Sequence, residues 1–183
     1  MRRYVLADTA ATQARILTMD VRRLALGTRE RIAGAVYGTI VVLAALAAGA
    51  TAYQFELWRL GAIVSASVLI LWIAHAYAHA LGESLRLGRR LTRTELITIT
   101  GRELAIPLAS ILPLAAIALG ALGVVRDTAA VWLALAIGVA TLAVQGIRYA
   151  RLERLSRIGT LVSVALNLSL GLLIVALKVL LAH

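Results

Sequence analysis

LGAIVSASVLILWIAHAYAHALG, residues 60–82, decides the fold. It holds no Asp, Glu, Lys or Arg, and its two histidines lie towards one end. An α-helix rises about 1.5 Å per residue, so about 20 apolar residues cross a hydrocarbon core about 30 Å thick. Lipid offers no partners to backbone N–H and C=O groups, so a spanning segment must be a helix or part of a closed barrel. A barrel strand alternates polar and apolar residues over a short stretch, and this run does not. Residues 60–82 therefore read as a membrane helix.

Four further runs share this character, near residues 32–52, 104–124, 128–147 and 158–181. The expected fold is an all-α membrane protein with five transmembrane helices forming one domain, residues 32–181. A cytoplasmic segment, residues 1–31, precedes it. Within that segment residues 8–26 predict an amphipathic helix: Ala10, Ala14, Leu17, Val21 and Leu24 share one face, and Gln13, Arg15, Asp20, Arg22 and Arg23 lie elsewhere. Such a helix rests on a membrane surface, which makes anionic lipid head groups an expected partner. The opening residues lack the continuous apolar stretch of a signal peptide, so the first span is expected to direct insertion. Composition agrees with a membrane protein. Hydrophobic residues make up 61% of the 183, more than a soluble domain of this size carries.

Orientation follows from arginine. Residues 1–31, 83–103 and 148–157 hold 16 of the 19 basic residues, and a five-span chain puts all three segments on one side. The positive-inside rule makes that side cytoplasmic, with the N-terminus inside and the C-terminus outside. The net charge of +10 thus reflects topology. No basic groove interleaved with aromatics appears, so nucleic acid is not an expected partner. The chain has no cysteine, which excludes disulfides, thiolate metal sites and covalent haem. Arg148, Arg151, Arg154 and Arg157 have the spacing of a voltage sensor, but the apolar run 128–147 is complete before them, so they read as interfacial. Arginine in place of lysine and heavy alanine use fit a GC-rich bacterial genome, hence an inner membrane.

The chemistry concentrates in span two. His75, His79 and Glu83 are spaced four apart and form one helical stripe. Two histidines at i and i+4 can share a metal ion, a carboxylate can complete the set, and imidazole relays protons near neutral pH. Ionisable groups within a span are expensive and face a bundle or cavity, as structural polar contacts or as functional ones. One helix cannot supply both axial ligands of a haem from these positions. In span one, Gly34 and Gly38 form a GxxxG pair that admits a second helix, with Tyr37 beside the contact. In span three, Pro107 and Pro113 remove hydrogen-bond donors and free the carbonyls of Glu103 and Ala109. Glu103 also joins Glu83 and Glu95 near the cytoplasmic mouth, where carboxylates suit a divalent cation or the arginines beside them. Thr92 and Glu95 have capping-box spacing, predicting a short helix that leads into span three. In span five, Gly159, Ser163, Asn167 and Gly171 make a small and polar stripe that should face another helix.

This layout resembles the vacuolar iron transporter (VIT/CCC1-like) family over residues 30–181. The similar points are a Gly-rich span one from Gly34 to Gly49, Gly82-Glu83-Ser84 at the base of span two, a Pro- and small-residue-rich span three, and Arg157-Ile158-Gly159 opening span five. The resemblance implies a homodimer that moves ferrous iron or related divalent metals out of the cytoplasm by proton exchange, with Glu83 facing the metal. The family's span-one Asp-Gly stands here as Tyr37-Gly38, and Met1 and Met19 are the only methionines. His75 and His79 would replace the missing ligands.

The expected function is a small transporter or channel for a divalent metal cation or protons, with His75, His79, Glu83 and Glu103 along the path and any metal ion its substrate. The alternative is a non-transporting membrane scaffold or partner-binding protein whose histidines are structural. An enzyme is not expected: GxSxG, HExxH and a recognisable acid, base and nucleophile set are all missing from the sequence.

Overall fold

The computed structural model describes residues 29–50, 52–53 and 56–181. The amphipathic helix expected over residues 8–26 lies outside them. The described elements are all helical: α1 (Arg29–Ala50), α2 (Leu57–Leu87), α3 (Arg93–Arg102), α4 (Ala105–Leu108), α5 (Ile111–Ala121), α6 (Asp127–Leu152) and α7 (Arg157–Leu181). Four of them, α1, α2, α6 and α7, are long and apolar enough to cross a membrane. The segments Arg93–Leu108 and Ile111–Ala121 form a fifth apolar unit bent by 45°. The described residues are thus all-helical, and the chain is a multi-pass membrane protein.

Helix α1 sits at the centre. Half of its apolar window is buried inside the bundle, against 11% for α7, which lies at the periphery. Val42, Leu43 and Leu46 of α1 are fully enclosed. Glycines open the contacts on α1: a Cβ on Gly138 of α6 would lie 2.6 Å from Leu43 Cδ2, and one on Gly49 of α1 would lie 2.6 Å from Leu60 Cδ1 of α2. Lipid tails are as apolar as leucine, so these contacts stabilise by close packing rather than by release from water.

The ends of the helices have local causes. Helix α2 outruns its expected span and stops at Gly88, whose φ of 62° is left-handed and whose N–H donates to Leu85 O at 3.3 Å. Helix α6 likewise continues past residue 147 and carries Arg148 and Arg151 on its last turns. It closes at Arg154, a left-handed non-glycine residue at φ 51°, with Leu155 N–H donating to Ala150 O at 2.9 Å. Ser156 Oγ then accepts from Gly159 N–H at 3.2 Å and starts α7.

Span three, the run that carries both prolines, is broken between Leu108 and Ile111. The capping box is present: Thr92 Oγ1 accepts from Glu95 N–H, and the Glu95 carboxylate accepts from Thr92 N–H. After α3 the chain turns at Glu103. Pro107 has no N–H to offer the Glu103 carbonyl, but Ile106 N–H reaches it at 3.0 Å. The free carbonyl expected there is therefore engaged, because the backbone tightens to an i→i+3 bond. A second turn follows, where Ser110 donates to Pro107 O from Oγ at 2.7 Å and from N–H at 3.1 Å.

Gly34 and Gly38 do admit a neighbour, and it comes from the same chain. A Cβ on Gly34 would lie 3.3 Å from Ala105 Cβ, and one on Gly38 would lie 2.5 Å from Ile106 O. The second helix that the pair admits on that face of α1 is thus the chain's own α4. The arginine-bearing ends are gathered together: Arg29 pairs with Glu153 at 2.9 Å, and Arg102 lies 3.7 Å from Glu30. At the other end Gly120 of α5 packs against Leu57 and Ala130.

Candidate functional site

Helix α2 places His75 and His79 one turn apart, with ring centroids 5.0 Å apart. Both face the break between α3 and α4, where Glu103 caps α3. Glu103 Oε1 lies 2.7 Å from His79 Nδ1, and Oε2 lies 3.7 Å from His75 Nε2. The Glu103 side chain is only 8% exposed, whereas His75 and His79 are 38% and 55% exposed. One carboxylate thus reaches two imidazoles from the buried side. One ligand atom from each residue falls within 4.8 Å of the others. A first-row divalent ion bonds nitrogen and oxygen at about 2.0–2.2 Å, which sets its ligands roughly 3–4.4 Å apart. The separations of the three groups, within 4.8 Å, lie close to that range.

Two contacts hold Glu103 in position. The close approach of Gly38 to Ile106 seats α4 against α1, three residues beyond the carboxylate. Trp72 Nε1–H donates to Thr100 O at 3.4 Å and ties α3 to α2. Tyr37 of α1 completes the surroundings, its ring centroid 5.4 Å from that of His75.

The remaining expected residues fall elsewhere. Glu83 continues the histidine stripe along α2, but Arg86 takes both of its oxygens, Nη2 at 2.6 Å and Nε at 2.8 Å. It stands outside the three-residue cluster. It does share with His79 the wall of an open cavity of about 550 Å³ that reaches Glu30 and Glu95. Glu95, in the Arg-rich segment ahead of the apolar run, is engaged by Arg89 at 2.7 and 3.1 Å. The Arg89 guanidinium, the Thr92 N–H and the Thr92 hydroxyl hold its carboxyl down at about 2. In α7, Ser163 Oγ donates to Gly146 O at 3.0 Å and links α7 to α6. Asn167 donates within its own helix, from Nδ2 to Ser163 O at 2.9 Å. Gly171 lies against Leu142 and Val139, so the small-residue stripe faces α6.

Sequence periodicity grouped Glu83 with the histidines, and the fold brings Glu103 to them. The Glu83–Arg86 pairing was available in the sequence as an i,i+3 pair of opposite charges. The Trp72–Thr100 bond and the Gly38–Ile106 approach carry no such local signal. Comparison of the chain with protein-family models, with curated proteins and with solved structures finds no match. The geometry and chemistry of the site are therefore what bears on function.

Proposed function

We propose that this chain moves a divalent metal cation or protons across the inner membrane, and that His75, His79 and Glu103 handle the cation. The observation that carries this reading is the buried Glu103 carboxylate within 2.7 and 3.7 Å of two imidazoles on the facing helix. Three ionisable groups gathered between apolar helices are costly to keep there and mark ion paths or proton relays. The donor set is two nitrogens and a carboxylate, and among the described residues no thiolate or thioether lies beside it. It suits Fe²⁺, Mn²⁺, Co²⁺ or Zn²⁺ better than Cu⁺. Cation binding displaces protons from imidazole, so the same groups can couple metal movement to proton movement.

In the bent α3–α5 unit, α4 and α5 run from the arginine-bearing end to Leu57 and Ala130 at the other end, with α3 ahead of them. This supports counting α4–α5 as one span, five in all, with the N-terminus in the cytoplasm and the C-terminus outside. The cavity beside His79 then opens on the cytoplasmic side, with Glu30, Glu83 and Glu95 on its walls. The resemblance to vacuolar iron transporters favours export from the cytoplasm.

The test is metal titration of the purified protein in nanodiscs at neutral pH. Fe²⁺, Mn²⁺, Zn²⁺ and Co²⁺ are added to wild type, His75→Ala/His79→Ala, Glu103→Gln and Glu83→Gln. A stoichiometric site lost in the first two variants and kept in Glu83→Gln supports the reading and leads to flux assays in liposomes. Equal, weak binding by all four proteins overturns the metal reading. Proton flux that survives both site variants overturns the proton reading and leaves a structural role for the histidines.

A further inference from the structure

A second cavity, about 480 Å³, lies between α1, α3–α4 and α6 at the arginine-bearing end. Its charged residues are three arginines from three elements, Arg31, Arg102 and Arg148, with Thr141 and Gln145 as neutral polar neighbours. Its floor includes Leu104, Leu108 and Leu112, and these are 43%, 60% and 63% exposed. No acidic residue lines it among the described residues. Among the described residues, Arg102 reaches a carboxylate only at 3.7 Å, that of Glu30, and Arg148 donates only to Gln145 Oε1 at 3.4 Å. Among the described residues Arg31 has no ion pair. Three cations held around an exposed apolar trough form an amphipathic site with an unbalanced positive head.

We propose that this groove binds an anionic phospholipid, its phosphodiester held by Arg31, Arg102 and Arg148 and an acyl chain laid along Leu104, Leu108 and Leu112. The guanidinium fork matches phosphate oxygens two at a time, which a lysine cluster would not do. A free phosphate would satisfy the arginines and leave the leucines bare, so the observations favour the lipid. Basic pockets between membrane helices near the cytoplasmic face are suited to such head groups. The lipid would sit against α4, next to Glu103 in the chain, yet no residue that lines the groove belongs to the His75–His79–Glu103 cluster. The inference therefore stands whether or not a cation is carried.

The experiment is native mass spectrometry of the full chain from micelles containing equal phosphatidylglycerol and phosphatidylcholine. Wild type is compared with Arg31→Gln/Arg102→Gln/Arg148→Gln. It is also compared with Arg151→Gln/Arg154→Gln/Arg157→Gln, which removes the same charge outside the groove. Leu108→Trp fills the trough and leaves the cations in place. Wild type is expected to retain phosphatidylglycerol in preference to phosphatidylcholine. The groove variant should lose that preference on the order of 100-fold, at roughly a factor of five per arginine. The control triple should keep it, and Leu108→Trp should reduce retention with charge intact. Inorganic phosphate at millimolar concentration should fail to displace the lipid. Equal retention of both lipids by wild type overturns the proposal, as does equal loss in the two triple variants. Full displacement by inorganic phosphate, or undiminished retention in Leu108→Trp, also overturns it by removing the acyl-chain contact.

Discussion

Gly38→Ala should loosen the cation site from a distance, because Gly38 sets the position of the segment that carries Glu103. The added Cβ would lie 2.5 Å from Ile106 O and 2.9 Å from Ile106 Cα. Both atoms are backbone, so no side chain can swing aside. A carbon–oxygen contact settles at about 3.3 Å, so α4 must retreat from α1 by about 0.8 Å. If that shift is passed to Glu103, its 2.7 Å approach to His79 becomes about 3.5 Å, beyond any strong contact. Overpacking of this kind costs about 1–3 kcal/mol of stability. Displacing a group that positions a metal ligand weakens metal affinity about 10–100-fold. The assay pairs thermal unfolding with Mn²⁺ or Co²⁺ titration in nanodiscs. Gly82→Ala is the control, since it lies closer to His79 in sequence but a Cβ there meets nothing within 4 Å. Gly82→Ala should bind metal like wild type and lose no stability, since alanine favours a helix interior over glycine. If Gly38→Ala loses stability but binds metal normally, the α1–α4 contact does not position Glu103. If it loses neither, the close approach itself is refuted.

Three smaller tests follow from individual contacts. Ser163→Ala removes the bond from α7 to the Gly146 carbonyl and should destabilise the fold by about 0.6 kcal/mol, read in detergent unfolding; a loss above about 2 kcal/mol would mean that more than one hydrogen bond holds the crossing. Arg86→Gln frees Glu83 but should leave metal stoichiometry and affinity unchanged, because Glu83 stands outside the cluster; a gained second site would show that the arginine was masking a ligand. The Glu95 carboxyl is held down at about 2 from an ordinary 4.5, so its contribution to α3 is present above about 4.5 and is lost as the pH falls towards 2. Its carboxyl NMR shift should titrate near 2 in wild type and move towards 4.5 in Arg89→Gln, and a midpoint near 4.5 in wild type would rule out the Arg89 pairing.

The sequence by itself determined the apolar helices, the side on which arginine collects, and the capping box at Thr92 and Glu95. Each depends on a local property: run length, charge placement between runs, or residues three apart. The histidine stripe was legible for the same reason, since four-residue spacing fixes one face of a helix. Only the tertiary structure decided which carboxylate meets it. Periodicity favoured Glu83, but Arg86 is nearer in sequence and satisfies both of its oxygens. Glu103 reaches His79 because Pro107 and Ser110 break span three and because Gly38 lets the broken segment touch α1. The GxxxG pair likewise announced a close approach without saying to what, and its partner is the chain's own α4. A pattern along one helix sets the direction in which a side chain points, while the group it meets depends on how separate helices pack, which no spacing within either helix records.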